Sequence, residues 1–256
     1  MPSITYLSDF HLEFYSKPIP YDKVLQWKQG DILCLAGDIG YPELPSYQNF
    51  MAYASSKFKY VFVIAGNHEY YQTNTHPKKT ILSTNEQIKQ ICAYHPNVHF
   101  INNITYYMEE FDTYILGTTL WTETLGDAQE QYGYNDFKKI YNMNLFGFMD
   151  QHHRISIAYL TAELDRLKKT TSKVVVMTHH LPSFQLIAPQ YKDSDNNHLF
   201  ATNLNRLFNL YKINHWICGH SHVPMQQHIQ NTSVWMNPIG YPGEIEVPNW
   251  NATFEL

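Results

Sequence analysis

The chain has 256 residues, 44% of them hydrophobic and 15% aromatic, which is enough to bury a sizeable core and too apolar for a disordered chain. Charged residues reach 16%, against roughly 25% in ordinary soluble domains, and the formal net charge of -5 leaves no basic footprint for a tight, non-specific binder of duplex nucleic acid. Cys34, Cys92 and Cys218 are widely spaced with no CxxC pair, which excludes a disulfide framework and a cysteine zinc site.

Along the chain, short apolar, β-branched runs of strand length each end abruptly. Residues 4–7 run into Ser8-Asp9, 32–36 into Gly37-Asp38, and 61–65 into Gly66-Asn67. Further on, 174–177 run into Thr178-His179 and 216–218 into Gly219-His220. Helical patterns lie between them. Pro77 suits the first turn of a helix reaching about residue 94. Over 153–169, Ile157, Leu160, Leu164 and Leu167 follow one helix face, and over 199–211 Phe200, Leu204, Leu207, Phe208 and Tyr211 do the same. The tail from about 226 reads as hairpins. Strands alternating with helices predict an α/β protein with partly parallel sheets.

Fourteen histidines are the compositional oddity. Asp9, Asp38 and Asn67 follow one another at intervals of 29 residues, about one βαβ repeat, so all three are expected at the same edge of one sheet. His179 and the pair His220/His222 come from two further strand ends. Hard oxygen donors with borderline imidazoles and no thiolate are a metal-site composition. Asp9 and His11 are two apart, as are His220 and His222, which puts each pair on one side of an extended segment. Glycines precede Asp38, Asn67 and His220, where the backbone is expected to turn sharply.

D-x-H (Asp9, His11), G-D (Gly37, Asp38), G-N-H-E (Gly66 to Glu69), Thr178-His179-His180 and G-H-S-H (Gly219 to His222), in that order, resemble the calcineurin-like metallophosphoesterase superfamily. Gly117 to Thr122, His179 to Ser183 and Asn237 to Tyr241 look like its small, single-domain, prokaryotic-type branch, although Ile239 stands where relatives often carry a basic residue. The resemblance implies a four-layer α/β/β/α sandwich of two mixed sheets flanked by helices, one domain over residues 1–256. By the same resemblance, Asp9, His11, Asp38 and His222 hold one divalent cation. Asp38, Asn67, His179 and His220 hold a second, with Asp38 bridging. Mn2+ is the expected metal, and Fe, Zn2+, Mg2+ or Ni2+ suit the same ligands. The implied reaction is hydrolysis of a phosphodiester by in-line attack of a metal-bridging hydroxide, with His68 stabilising the transition state or protonating the leaving group. The alternatives are a phosphomonoesterase or protein phosphatase and, in a different class, a catalytically silent interaction module on the same fold.

Around the metal blocks, Glu69 is a candidate partner orienting His68, against a solvated acid. His180 is a candidate for an outer-shell or substrate-facing role, against a structural one. Aromatics between residues 121 and 148 (Tyr132, Tyr134, Phe137, Tyr141, Phe146) form either a rim over the site or core packing, and the loop from His180 to Asn197 is a second candidate wall. None of the three arginines (Arg154, Arg166, Arg206) lies in a metal block, which leans toward phosphodiesters, whose single negative charge needs no guanidinium clamp. The expected partner is a small phosphoester such as a nucleotide, with no stable duplex binding. No run approaches the ~18 apolar residues of a membrane span, and the N-terminus lacks signal-peptide features, so the chain is expected to be cytoplasmic.

Overall fold

The structure, a computed structural model, describes residues 1–74, 78–124, 133–145 and 147–256. Strand β2 (Gly30–Ala36) sets the layering, because its side chains alternate between two buried faces. Ile32, Cys34 and Ala36 point one way and Leu33 and Leu35 the other, all fully buried. On one side of β2 runs β1 (Ser3–Leu7) and on the other β3 (Phe58–Ile64) and then β4 (Val98–Phe100), all parallel. The second sheet is built from β5 (Ile104–Met108), β6 (Thr113–Thr118), β7 (Lys173–Thr178), β8 (His215–Cys218), β9 (Met225–Ile229) and β10 (Thr232–Met236), in the order β5-β6-β7-β8-β10-β9. Strands β6, β7, β8 and β10 are parallel, and β5 and β9 are antiparallel edges. Strand β11 (Thr253–Glu255) returns to the first sheet and pairs antiparallel with β1.

Three apolar layers hold this together. Ile4, Cys34 and Phe62 of the first sheet meet Ile115, Val175 and Ile217 of the second. On the outer face of the first sheet, Leu33 and Val61 pack against Phe50 of α2 (Pro45–Lys57) and Ile88 of α3 (Ile81–Ala93), after the four-residue α1 (Tyr21–Val24). On the outer face of the second, Val176 and Trp216 are covered by Leu160 of α5 (Phe148–Arg166) and Phe208 of α6 (Asn205–Leu210). The short α4 (Asn135–Lys139) lies between β6 and α5 in sequence. This is the four-layer α/β/β/α sandwich with mixed sheets that the resemblance implied.

Several boundaries differ from the sequence reading. Helix α3 starts after Thr80, whose hydroxyl accepts from Ser83 N while the Ser83 hydroxyl accepts from Thr80 N, a reciprocal cap; Pro77 lies outside the described residues. Helix α5 begins five residues before the expected 153 and turns Met149, His153, Ser156, Leu160 and Leu164 inward. The helix expected over 199–211 shrinks to α6, because Leu181 N donates to Phe200 O and Thr202 N to Leu181 O. Those bonds pull residues 200–202 straight alongside the chain leaving β7, so tertiary pairing overrides the periodicity. In the tail, only β9 and β10 form the expected hairpin; β10 also runs parallel to β8.

Candidate metal centre

Parallel strands bring their C-terminal ends to one edge, and here two sheets do so face to face. Strands β1, β2, β3, β7 and β8 lead into Asp9, Asp38, Asn67, His179 and His220 respectively. The main chain ties these ends within and between the sheets: Gly219 N donates to His179 O (3.0 Å) inside the second sheet and Gly240 N to Asp9 O (2.9 Å) across to the first. Asp9 (φ 54°), His11 (52°), Asp38 (54°), His220 (70°) and His222 (51°) all adopt the left-handed conformation, five of the eleven non-glycine cases among the described residues. Asp and His tolerate this region better than branched residues do, and such strain gathers where side chains must be aimed. Gly37 (φ 86°) makes the sharp turn expected of it, whereas Gly66 is required by space. A Cβ at Gly66 would collide with Asp38 Oδ1 and lie 2.7 Å from His179 Cε1.

All seven expected ligands converge. Asp9, His11, Asp38, Asn67 and His179 are buried, and His220 and His222 are partly so. His11 turns Nδ1 to Glu13 Oε1 (3.2 Å) and His222 turns Nδ1 to Glu244 Oε2 (2.7 Å), which leaves their Nε2 atoms facing each other at 3.0 Å. Across the site, His179 donates Nδ1–H to Ala36 O, and the Asn67 amide donates to Tyr71 Oη (3.0 Å) and Asp136 Oδ1 (2.9 Å). His179 Nε2 and Asn67 Oδ1, both left with lone pairs only, then lie 2.9 Å apart, with His220 Nδ1 3.2 Å from the same nitrogen. Lone pairs directed at one another repel unless a cation or proton sits among them. Two ligand atoms ~2.1 Å from an ion, at right angles to each other, lie ~3 Å apart, which is the spacing observed. Asp38 reaches both clusters, with Oδ2 3.8 Å from His11 Nε2 and Oδ1 3.5 Å from His179 Nε2. Asp9 Oδ1 lies 3.5 Å from His222 Nε2, so Asp9/His11/His222 and Asp38/His179/His220 are two metal-competent groups. The donors fit a pair of cations sharing Asp38.

Residues 2–224 match the calcineurin-like phosphoesterase family. The chain belongs to that family. Members hold a dinuclear divalent metal centre and hydrolyse phosphoesters with it. An uncharacterised protein of Acanthamoeba polyphaga mimivirus is 29% identical to this phosphoesterase over 265 residues, covering 95% of this chain and 93% of the relative. Phosphopantetheinyl hydrolase (PptH) of Mycobacterium tuberculosis superposes with a TM-score of 0.72 at 16% identity, covering 94% of this chain and 90% of that one. A dimetal phosphatase of Danio rerio superposes at 0.51 with 12% identity over 94% and 88% of the two chains. At these identities the two structures speak for the fold.

Burial and neighbouring carboxylates set the electrostatics of this phosphoesterase's site. Burial, with Glu69 and Asp9 nearby, holds the Asp38 carboxyl well above the usual carboxylate range. Burial also pushes His220 well below the usual imidazole value, His179 down to about 4 and His180 down to about 3. His222 is the exception: burial opposes protonation, yet the Asp9 and Glu244 carboxylates lift it to about 9. A field that protonates an imidazole between two carboxylates is one that attracts a metal ion.

Three neighbours were not legible beforehand. His68 Nδ1 lies 2.8 Å from Glu13 Oε1, so the carboxylate beside it is Glu13 rather than Glu69. Burial opposes ionisation of Glu13, but His11 and His68 hold its carboxyl down at about 2. The D-x-H-x-E spacing was the available signal. Glu69 is fully buried, not solvated, and accepts the N–H groups of Asp38 (3.0 Å), Ile39 (2.8 Å) and Gly66 (2.8 Å). Asp136, 69 positions from Asn67, accepts from both Asn67 and Tyr71 and so orients the amide. Glu244 holds His222 in the same way. His180 bonds Thr119 O through Nδ1 and lies against His220, ring centroids 4.3 Å apart, with its Nε2 buried and without a partner among the described residues.

A cavity of about 470 Å³ opens onto Asp38, Asn67, His68, His220 and His222. Of the aromatic segment, Tyr134 lines the cavity, Phe137 is at its wall and in the core, and Tyr132 and Phe146 lie outside the described residues. The loop after His180 supplies the facing wall through Ile187, Tyr191 and Asn197. His152 and His153 do not line it.

Proposed function

We propose that this chain is a dinuclear metal-dependent phosphodiesterase acting on a small phosphoester, as one domain with one site. The observation that carries this reading is the pair of ligand-donor clusters that Asp38 reaches from both sides. Asp9, His11, Asp38 and His222 would hold one cation, and Asp38, Asn67, His179 and His220 the other. When bound, the two cations acidify a water near neutral pH and neutralise charge on the phosphoryl oxygens. Mn2+ suits a set of imidazole, carboxylate and amide donors with no thiolate.

The protein's own work centres on His68. Its Nδ1–H is held by Glu13, so Nε2 faces the cavity beside Asp38, 4.0 Å from Oδ2, and Tyr241 Oη lies 3.5 Å from the same Nε2. From there His68 hydrogen-bonds a phosphoryl oxygen or passes a proton to the leaving alkoxide. A diester is favoured because no Lys or Arg lines the cavity among the described residues, and the other residues of the chain not described include neither. The second charge of a monoester would then rest on the cations alone. The three free, buried cysteines suit a reducing, cytoplasmic setting, and no described helix is long and apolar enough to cross a membrane.

The test is p-nitrophenol release from bis-p-nitrophenyl phosphate and p-nitrophenyl phosphate after chelation and Mn2+ return, with bound metal measured per chain. Turnover of the diester should exceed that of the monoester, vanish in Asp38→Ala and fall about 10²- to 10⁴-fold in His68→Ala. Faster monoester hydrolysis would move the assignment to a phosphomonoesterase. Negligible metal binding in excess Mn2+ would leave the silent interaction module.

A further inference from the structure

We propose that the cavity selects an ester with a single phosphoryl group whose other substituent is an uncharged, flat ring of nucleobase type. This deepens the phosphoesterase reading and rests on it. At about 470 Å³ the cavity is the size of a small-molecule site rather than a groove for a polymer. Beyond the metal ligands, the only formally charged side chains among the described residues that line it are Asp136 and Glu244, and both already accept hydrogen bonds. A second phosphate taken into the cavity would give up its hydration with no ammonium or guanidinium among the described lining residues to meet it. Single-phosphate substrates escape that penalty.

The wall favours a ring. Tyr134 and Phe200 meet edge to face, centroids 6.4 Å apart at 75°, and Phe200 continues the surface onto His220 at 4.9 Å and 37°. They form an aromatic corner that starts at the metal ligands and leads into the cavity. The side-chain amides of Asn135 and Asn196 line the same space and have no hydrogen-bond partner among the described residues. Carboxamides offer both donors and acceptors, so they match the edge of a heterocycle that carries both. Stacking of one base on an aromatic surface is worth about 10- to 100-fold in affinity, and every base has such a face.

Calorimetry on the Mn2+-loaded protein tests this directly with thymidine 5′-phosphate, 2-deoxyribose 5-phosphate and thymidine 3′,5′-bisphosphate. The ring-bearing monophosphate should bind about 10- to 100-fold more tightly than the bare sugar phosphate. The bisphosphate should bind at least about 10-fold more weakly than the monophosphate, since its second charge lies away from the metals. In Tyr134→Ala and Phe200→Leu the ratio between the first two ligands should collapse toward one. Equal affinities for the sugar phosphate and the nucleotide in the wild type, or tighter binding of the bisphosphate, would overturn the inference. Hydrolysis of bis-p-nitrophenyl phosphate is read on the same preparation. Turnover without ring preference sinks the inference alone, whereas ring preference without turnover sinks the phosphodiesterase reading and leaves the pocket standing.

Discussion

Glu69 offers the sharpest test of how the strand ends are held. Its carboxylate gathers three backbone N–H groups from the exits of β2 and β3, Asp38 and Gly66 on Oε2 and Ile39 on Oε1, in a fully buried position. In Glu69→Gln the shape is kept, and the better amide rotamer satisfies the two donors at Oε2. The new NH2 then faces Ile39 N–H, leaving two buried donors without acceptors. At ~1–3 kcal/mol for each orphaned group, the gross cost is ~2–6 kcal/mol. Part of this is returned, because burial had already pushed the Glu69 carboxyl up to about 7, so removing its charge relieves some desolvation. A net loss of about 2–4 kcal/mol follows, or roughly 5–10 °C in Tm for a chain of this size. Thermal unfolding should be followed by circular dichroism on chelator-treated protein, so that metal binding does not add its own stabilisation. The Gln variant is more informative than Ala, which would add a cavity. A loss below about 0.5 kcal/mol would refute the three-donor account of Glu69, since even one orphaned buried N–H costs more than that.

Two further outcomes follow from particular contacts. Asp136→Ala should free the Asn67 amide to rotate and weaken one of the two metal equivalents about 10- to 100-fold, leaving the other unchanged, as read by competition with a chromophoric chelator. Unchanged affinity for both equivalents would show that the carboxylate does not orient Asn67. His215, remote from the metal ligands, accepts Trp235 Nε1–H at Nδ1 (3.2 Å) and lies against Phe254 with ring centroids 4.5 Å apart. Burial, aided by Lys173, holds its pKa down at about 4. As pH falls below ~6.5 the unfolded chain takes up a proton that the folded ring refuses, so this stability is complete above ~6.5 and is lost toward pH 4. Allowing for the ring's partial exposure, about 1–2 kcal/mol is at stake. Urea midpoints of metal-free wild type and His215→Gln at pH 7 and pH 5 should differ in their pH sensitivity; identical slopes would rule the effect out.

Short-range order along the chain was enough to name the seven residues that meet at the strand ends. Each follows its own strand by one to four residues, and parallel strands have only one edge at which to deliver them. The layered α/β architecture was legible for the same reason, since strand and helix periods are local properties. Partners that hold the ligands were not. Asp136 reaches Asn67 from 69 residues away and Glu244 reaches His222 from 22 away, and neither carries a pattern that announces it. Glu69, next to the catalytic candidate in sequence, turns instead to the main chain of β2's exit, while Glu13 comes across to His68. The helix expected over 199–211 likewise yielded to backbone pairing with Leu181. The sequence by itself thus determined which donors reach the edge and from which strands. The tertiary structure decided which carboxylate serves which histidine and what closes the cavity, because buried polar groups must take whatever partner the folded chain brings within 3 Å.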